Sequence, residues 1–175
     1  GETVVIDERR GAEKSGPERA LLVGIDDLEG RGRRSMRELM ELAKTAGASV
    51  IDIVTQPRNF PDRRTFIGAG KLEELAHEVI AQGADLVIFN SELSPVQNRT
   101  ITDALQAKVI DRTELILDIF AQHARTREGK LQVELAQARY SLPRLAGRGK
   151  LMDRIGGTGG GGIGVRGPGE TKIDV

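Results

Sequence analysis

The sequence predicts an α/β fold: a four-stranded parallel sheet flanked by helices, followed by a long helix that is half of a helical hairpin and a Gly-rich loop. Three observations carry this. Short apolar runs alternate with helical spacings in three successive strand–helix–strand units between Ala20 and Ile110. From Asp111 to Leu145 the strand signal stops and apolar residues recur at heptad spacing. Eleven of the 22 glycines then fall between Gly147 and Gly169.

Residues 1–19 are charged and contain Gly11, Gly16 and Pro17, which reads as a mobile tail. Ala20–Ile25 is an apolar run suited to a buried parallel strand. Ser35 and Glu38 have capping-box spacing, and Met36, Leu39, Met40, Ala43 and Ala46 continue at helical spacing until Gly47. Ser49–Thr55 is β-branched and apolar, a second strand. Leu72, Leu75, Ala76, Val79 and Ile80 mark a second helix, closed by Gly83, and Ala84–Phe89 reads as a third strand. Ser94, Pro95 and Gln97 open a third helix, with Val96, Ile101, Ala104 and Leu105 on its inner face. Lys108–Ile110 is the fourth strand. The α/β subdomain thus spans 20–111, with expected strand order 2-1-3-4. A ligand crevice is expected beyond the carboxyl ends of the strands, at the loops after Ile25, Thr55 and Phe89.

The remainder, 112–175, opens with Asp111 or Thr113 as a helix cap. Leu131, Leu135, Ala138, Leu142 and Leu145 form a heptad seam, which Ile116, Phe120 and Ala124 extend upstream. Gly129 weakens such a helix and Pro143 kinks or ends it. After the Gly-rich loop, Glu170 and Thr171 read as the start of the second hairpin helix. A half seam without a partner exposes leucines, so the natural protein is expected to continue beyond Val175. Gly1 in place of Met fits a trimmed chain.

Composition narrows the chemistry. The absence of cysteine excludes disulfides, cysteine-based zinc sites and thiol catalysis, and the two histidines make a His-rich metal site improbable. No apolar run reaches the roughly 20 residues that cross a bilayer. No signal-peptide pattern is present, so a cytoplasmic location is expected. The 26 basic and 26 acidic residues balance, yet residues 121–154 hold 8 basic against 3 acidic groups.

Gly68, Gly70 and Lys71 lead into a helix and suggest an anion site, in competition with simple loop geometry. A phosphate-binding P-loop requires glycine where Thr65 stands and serine or threonine where Leu72 stands, so that motif fails. Gly157, Gly159 and Gly162 fit the dinucleotide fingerprint only by the density of glycine, with no strand before them. The loop with Gly156, Gly157, Gly159, Gly160, Gly161, Gly162, Gly164, Gly167 and Gly169 lacks side chains and can enter narrow spaces. Arg144, Arg148, Lys150, Arg154 and Arg166 around it suit RNA phosphates and bases. The arginine-rich loop Glu29–Arg34 reads as solvated surface. Asp26 and Asp27 are weak cation candidates. No catalytic pattern and no metal set are expected, and His77 and His123 read as surface residues.

Several ordered motifs carry a family resemblance. They are Phe66–Leu75, Asp85–Phe89 with Glu92–Pro95, Val109–Thr113, Ile116–Ala121, Ala124–Gln137, Leu142–Leu145 and Gly164–Lys172. Together, over about Ala20 to Val175, they resemble the N-terminal domain of the HflX family of ribosome-associated GTPases. The resemblance implies binding to the large (50S) ribosomal subunit and its 23S rRNA, and splitting of stalled or stress-arrested ribosomes. It implies an α/β subdomain, a long helical hairpin and a loop approaching the peptidyl transferase centre, here Gly156 to Gly169. It also implies a following GTPase domain that holds GTP and Mg. ATP binding and RNA-helicase activity, attributed to some members, would fall on Gly68, Gly70 and Lys71. These 175 residues contain no GTPase motif. The expectation is a non-enzymatic, monomeric binding module whose partners are the large subunit and its own GTPase domain.

Overall fold

The computed structural model describes residues 16–145. Four parallel strands, β1 (Arg19–Asp26), β2 (Ser49–Pro57), β3 (Leu86–Phe89) and β4 (Lys108–Asp111), stand in the order β2-β1-β3-β4. The helices are α1 (Arg31–Thr45), α2 (Ala69–Gln82), α3 (Pro95–Leu105), α4 (Arg112–His123) and α5 (Arg127–Ser141), ending in a 3-10 turn, Leu142–Arg144. The predicted sheet, its order and its flanking helices are all present.

Strand alternation sorts the core into two layers. On one face Leu21, Val23, Val87, Phe89 and Val109 pack with Leu72, Leu75 and Val79 of α2 and with Ile101 and Leu105 of α3. On the other, Ala20, Leu22, Leu86, Ile88 and Ile110 pack with Met36, Leu39 and Ala43 of α1 and Leu115 of α4. Burial on both sides is why β1 and β3 read as unbroken apolar runs. The edge strand β2 is only half-buried, and its Asp52, Ile53 and Thr55 reach solvent.

Four local expectations are corrected. Arg19, counted with the tail, opens β1, and Glu18 just before it pairs with Lys108 at 2.8 Å. Ser35 does not cap α1. Asp26 and Asp27 accept the Gly32 and Arg31 amides at 2.9 and 3.2 Å, so the helix begins a turn earlier and Ser35 lies inside it. In α3 the predicted capping box of Ser94 and Gln97 forms, but Val96 and Ala104 face solvent. Asn98 and Thr102 are buried instead, because Asn98 Nδ2 donates to the Val109 carbonyl at 3.1 Å and ties the helix to β4.

The fourth correction is the long helix. It is two helices, because Ala124 leaves α4 in an extended conformation and Thr126 starts α5 as its N-cap. Thr126 Oγ1 accepts the Gly129 amide at 3.0 Å. A Cβ at position 129 would stand 2.9 Å from that oxygen, so this glycine serves the cap rather than weakening a helix interior. On α5 the seam residues Leu131 and Leu135 are 56% and 52% exposed. The terminal tail up to residue 15, the Gly-rich loop and the helix start at Glu170 lie outside the described residues.

The two-layer core predicts a sharp contrast between apolar truncations on the helices. Leu39→Ala, fully buried in the layer that α1 makes against the sheet, should cost about 2–5 kcal/mol. Ile80→Ala, at the solvent face of α2, should stay within about 0.5 kcal/mol. Urea unfolding followed by circular dichroism checks both.

Candidate functional site

The strand order reverses between β1 and β3, so the switch-point crevice lies over their carboxyl ends. Gly24 in β1 keeps it narrow: a Cβ there would meet Met36 Sδ at 2.5 Å. Asn90, just after β3, donates to Ser35 Oγ at 2.8 Å. Arg112 donates to Asn90 Oδ1 at 3.0 Å and to Ser35 Oγ at 3.2 Å, and pairs with Glu38 at 3.2 Å. Thus Ser35 and Glu38, read as a capping box, help fill the crevice with the chain's own polar side chains.

The two helix starts at this edge are held differently. At α1, Gly30 takes a left-handed conformation (φ 73°), which lets the Asp26 and Asp27 carboxylates fold back onto the amides of Gly32 and Arg31. These two aspartates thus hold the first turn of α1. At α2, Gly68 donates its amide to Gln56 Oε1 at 2.9 Å. A Cβ on Gly68 would press on Arg58 and Gln56 at 3.2 Å, whereas one on Gly70 would meet open space. Lys71 pairs with Glu74 on its own helix at 3.4 Å. The structure therefore brings Gly68, Gly70 and Lys71 together at one helix start, with the lysine directed to a carboxylate.

A third cluster lies where β4 ends. The Asp111 carboxylate is fully buried. It accepts the Leu93 amide at 2.9 Å, the Glu114 amide at 3.0 Å and the Tyr140 hydroxyl. Arg144 lies over the Tyr140 ring at 3.8 Å and donates to the carbonyls of Leu93 and Tyr140, both at 2.6 Å. Asp111, Leu93, Arg144 and Tyr140 thereby close a circuit joining the sheet to the end of α5.

Arg144 needs correction as an RNA contact. It is 6% exposed, its two terminal nitrogens donate to carbonyls, and its guanidinium lies over an aromatic face. Arg148, Lys150, Arg154 and Arg166 lie outside the described residues, as do Gly156, Gly157, Gly159, Gly160, Gly161, Gly162, Gly164, Gly167 and Gly169. Within 121–145 the exposed cations are Arg125, Arg127, Lys130 and Arg139, and none joins an ion pair among the described residues. Sequence reasoning missed Tyr140 and Arg112, since each acts through partners distant in the chain. The available signal for Tyr140 was its being the sole tyrosine, four residues before an arginine on one helix face.

Burial, then the bond to Asp111 and its charge, push the Tyr140 phenol well above its ordinary value. Unfolded tyrosine ionises near pH ~10 while the folded phenol keeps its proton. The contribution is therefore complete below that pH and declines as pH rises above it. Alkaline titration of the folded chain should show no phenolate absorption at about pH 11, and denaturant should release it at once. Tyr140→Phe should destabilise by about 1.5–3 kcal/mol, the range for a hydrogen bond to a charged group. Equilibrium unfolding at neutral pH measures that loss.

Known proteins are similar to this chain. Residues 33–121 match the family described as GTP-binding GTPase N-terminal, and residues 123–175 match GTP-binding GTPase Middle Region. The chain is 54% identical over 158 residues to the GTPase HflX of Caldanaerobacter subterraneus, and 44% identical over 158 residues to that of Escherichia coli. Each alignment covers 90% of this chain and 36% of the relative, so the chain spans about a third of their length. A GTP-binding protein from Sulfolobus solfataricus, crystallised with GDP, matches with a TM-score of 0.56 at 26% identity, covering 79% of this chain and 42% of that one. A mutation variant of SsGBP gives a TM-score of 0.60 at 25% identity, covering 74% and 42%. With one family match over half its length and a second over residues 123–175, the chain belongs to the HflX GTPase family and carries its N-terminal region.

Proposed function

We propose that this chain is the ribosome-binding part of an HflX GTPase, directed at the large subunit and its 23S rRNA near the peptidyl transferase centre. The observation that carries the reading is the path of the chain out of α5. A buried arginine fixes that exit, and a segment holding eleven of the 22 glycines comes next, with Arg148, Lys150, Arg154 and Arg166 among them. A rigid anchor followed by a side-chain-poor, basic segment suits entry into a narrow RNA cavity, with guanidiniums on phosphates. Exposed Arg125, Arg127, Lys130 and Arg139 add positive charge along the approach. Inserted there, the segment competes with tRNA or nascent-chain ends, and so helps split stalled ribosomes under stress. GTP and Mg belong to the remainder of such a protein, which gates affinity by nucleotide. In this reading these 175 residues act in the cytoplasm, as a monomer, and hydrolyse nothing themselves.

The competing reading is an adenine-nucleotide, ATPase or helicase-type site at Gly68, Gly70 and Lys71. It is not favoured, because Lys71 is paired with Glu74 and the Gly68 amide is taken by Gln56. Calorimetric titration with ATP should give no micromolar binding. Micromolar binding that disappears in Lys71→Ala would reverse the preference.

Cosedimentation with purified large subunits tests the main reading. Binding should weaken steeply with salt, and deletion of Gly156–Gly167 should abolish it. Replacing Arg148, Lys150 and Arg154 with glutamine should lower the log–log salt slope by roughly 0.7–0.9 for each phosphate no longer neutralised. Full binding after the loop deletion would sink the proposal.

A further inference from the structure

The first turn of α1, Arg31–Arg34, with the short loop before it, and a second loop, Arg58–Thr65, carry arginines that belong to neither the switch-point crevice nor the β4 junction. Both segments follow the carboxyl ends of paired strands, and the Arg58 amide donates to the Asp26 carbonyl at 2.9 Å, which ties the strand ends together. The chain has four phenylalanines, one tyrosine and no tryptophan. Phe66 and Phe89 meet edge to face in the core, with centroids 5.7 Å apart. Phe60 instead stands 78% exposed on the second loop, between Arg58 and the pair Arg63 and Arg64.

That loop is built to hold its shape. Asp62 Oδ1 accepts the amides of Arg64 and Thr65 at 2.8 and 3.0 Å and the Thr65 hydroxyl at 3.0 Å. Asp62 and Phe66 exchange backbone bonds of 2.9 and 3.0 Å, and Gln97 Nε2 donates to the Asp62 carbonyl at 2.9 Å. Phe66, in a left-handed conformation (φ 63°), anchors the far end in the core. Arg58 Nε donates to the Phe60 carbonyl at 3.1 Å. The cost of ordering Phe60 for a partner is thus largely met within the loop.

The charges are arranged to face outward. The Asp62 carboxylate is spent on its own turn, and Arg31 is neutralised by Asp27 and Glu29. Arg33, Arg34, Arg63 and Arg64 join none of the ion pairs among the described residues. A lone aromatic ring flanked by such guanidiniums offers too little apolar surface for a protein interface core. It suits a nucleobase stacked on the ring with phosphates on the arginines.

We propose that Phe60, with Arg63 and Arg64, forms a second RNA-contacting surface, which stacks an unpaired base and grips its flanking phosphates. It rests on the reading that this chain binds ribosomal RNA, and deepens it by adding a contact on the α/β body away from the Gly-rich segment.

The test uses the full chain in two assays: cosedimentation with large subunits, and anisotropy with a labelled single-stranded RNA. Phe60→Ala should weaken binding by roughly five- to hundredfold, and Phe60→Trp should restore it. Joint Arg63→Gln and Arg64→Gln replacement should reduce the salt slope by roughly one to two. Unchanged urea midpoints confirm that the variants fold. If the subunit binds every variant like the unaltered chain, this surface is wrong while the ribosome reading stands. If the unaltered chain binds neither subunit nor RNA, both are wrong. If it binds RNA alone, in a Phe60-dependent way, the surface stands and the ribosome reading falls. Phe60-dependent binding to phosphatidylserine vesicles without RNA binding would overturn the surface in favour of a membrane.

Discussion

The Asp111 carboxylate sits fully buried at the carboxyl end of β4 and receives three donors from three parts of the chain: the Leu93 amide, the Glu114 amide and the Tyr140 hydroxyl. Moving an ionised carboxylate out of water costs several kcal/mol unless such donors replace the water. That penalty makes the arrangement demanding. The β3–α3 connection, the first turn of α4 and the end of α5 must all arrive at one point. Leu93 is used at both ends of its backbone, its amide on Asp111 and its carbonyl on Arg144. The circuit therefore links a negative and a positive side chain through shared peptide dipoles, which strengthen one another in a dry setting.

This junction explains how α5 holds its place although it packs few apolar residues. Leu131 and Leu135 are exposed and flank an open groove with Arg127, Glu128 and Gln132. The residues that α5 buries are Gln137 and Ser141, followed by Arg144 in the terminal turn. The polar junction and the packing of α4 against α5 thus fix the helix direction, and the seam leucines stay exposed, as expected of a half seam. Rigidity at this end matters if the Gly-rich segment is to enter RNA, since a fixed exit removes part of the ordering cost of binding.

Much of the sheet was legible because local signals agree with the global fold. Apolar runs, the Gly47 and Gly83 stops and the Ser94–Gln97 box each point to the elements that form. Legibility failed where a short-range pattern has two physical uses. Ser35 and Glu38 have capping-box spacing, but aspartates upstream cap the helix first and leave both to Arg112. Heptad spacing over Leu131–Leu145 cannot reveal that Thr126 restarts the helix, because a cap leaves the apolar period intact. Arg144 shows the deepest limit. Its neighbours in sequence are basic and glycine-rich, whereas Leu93 and Asp111, which complete its circuit, come from loops and strands far upstream.

The positive charge consequently divides into two sets with different work. Arg112 and Arg144 are consumed inside, one filling the switch-point crevice and the other closing the β4 junction. In open α/β sheets that crevice is where a small ligand normally enters. Here Arg112 engages the crevice's own polar side chains, Ser35 and Asn90, while Arg33, Arg34, Arg63 and Arg64 are exposed. A crevice engaged by the chain's own polar side chains, beside exposed arginines, suits the proposed polyanion better than a mononucleotide.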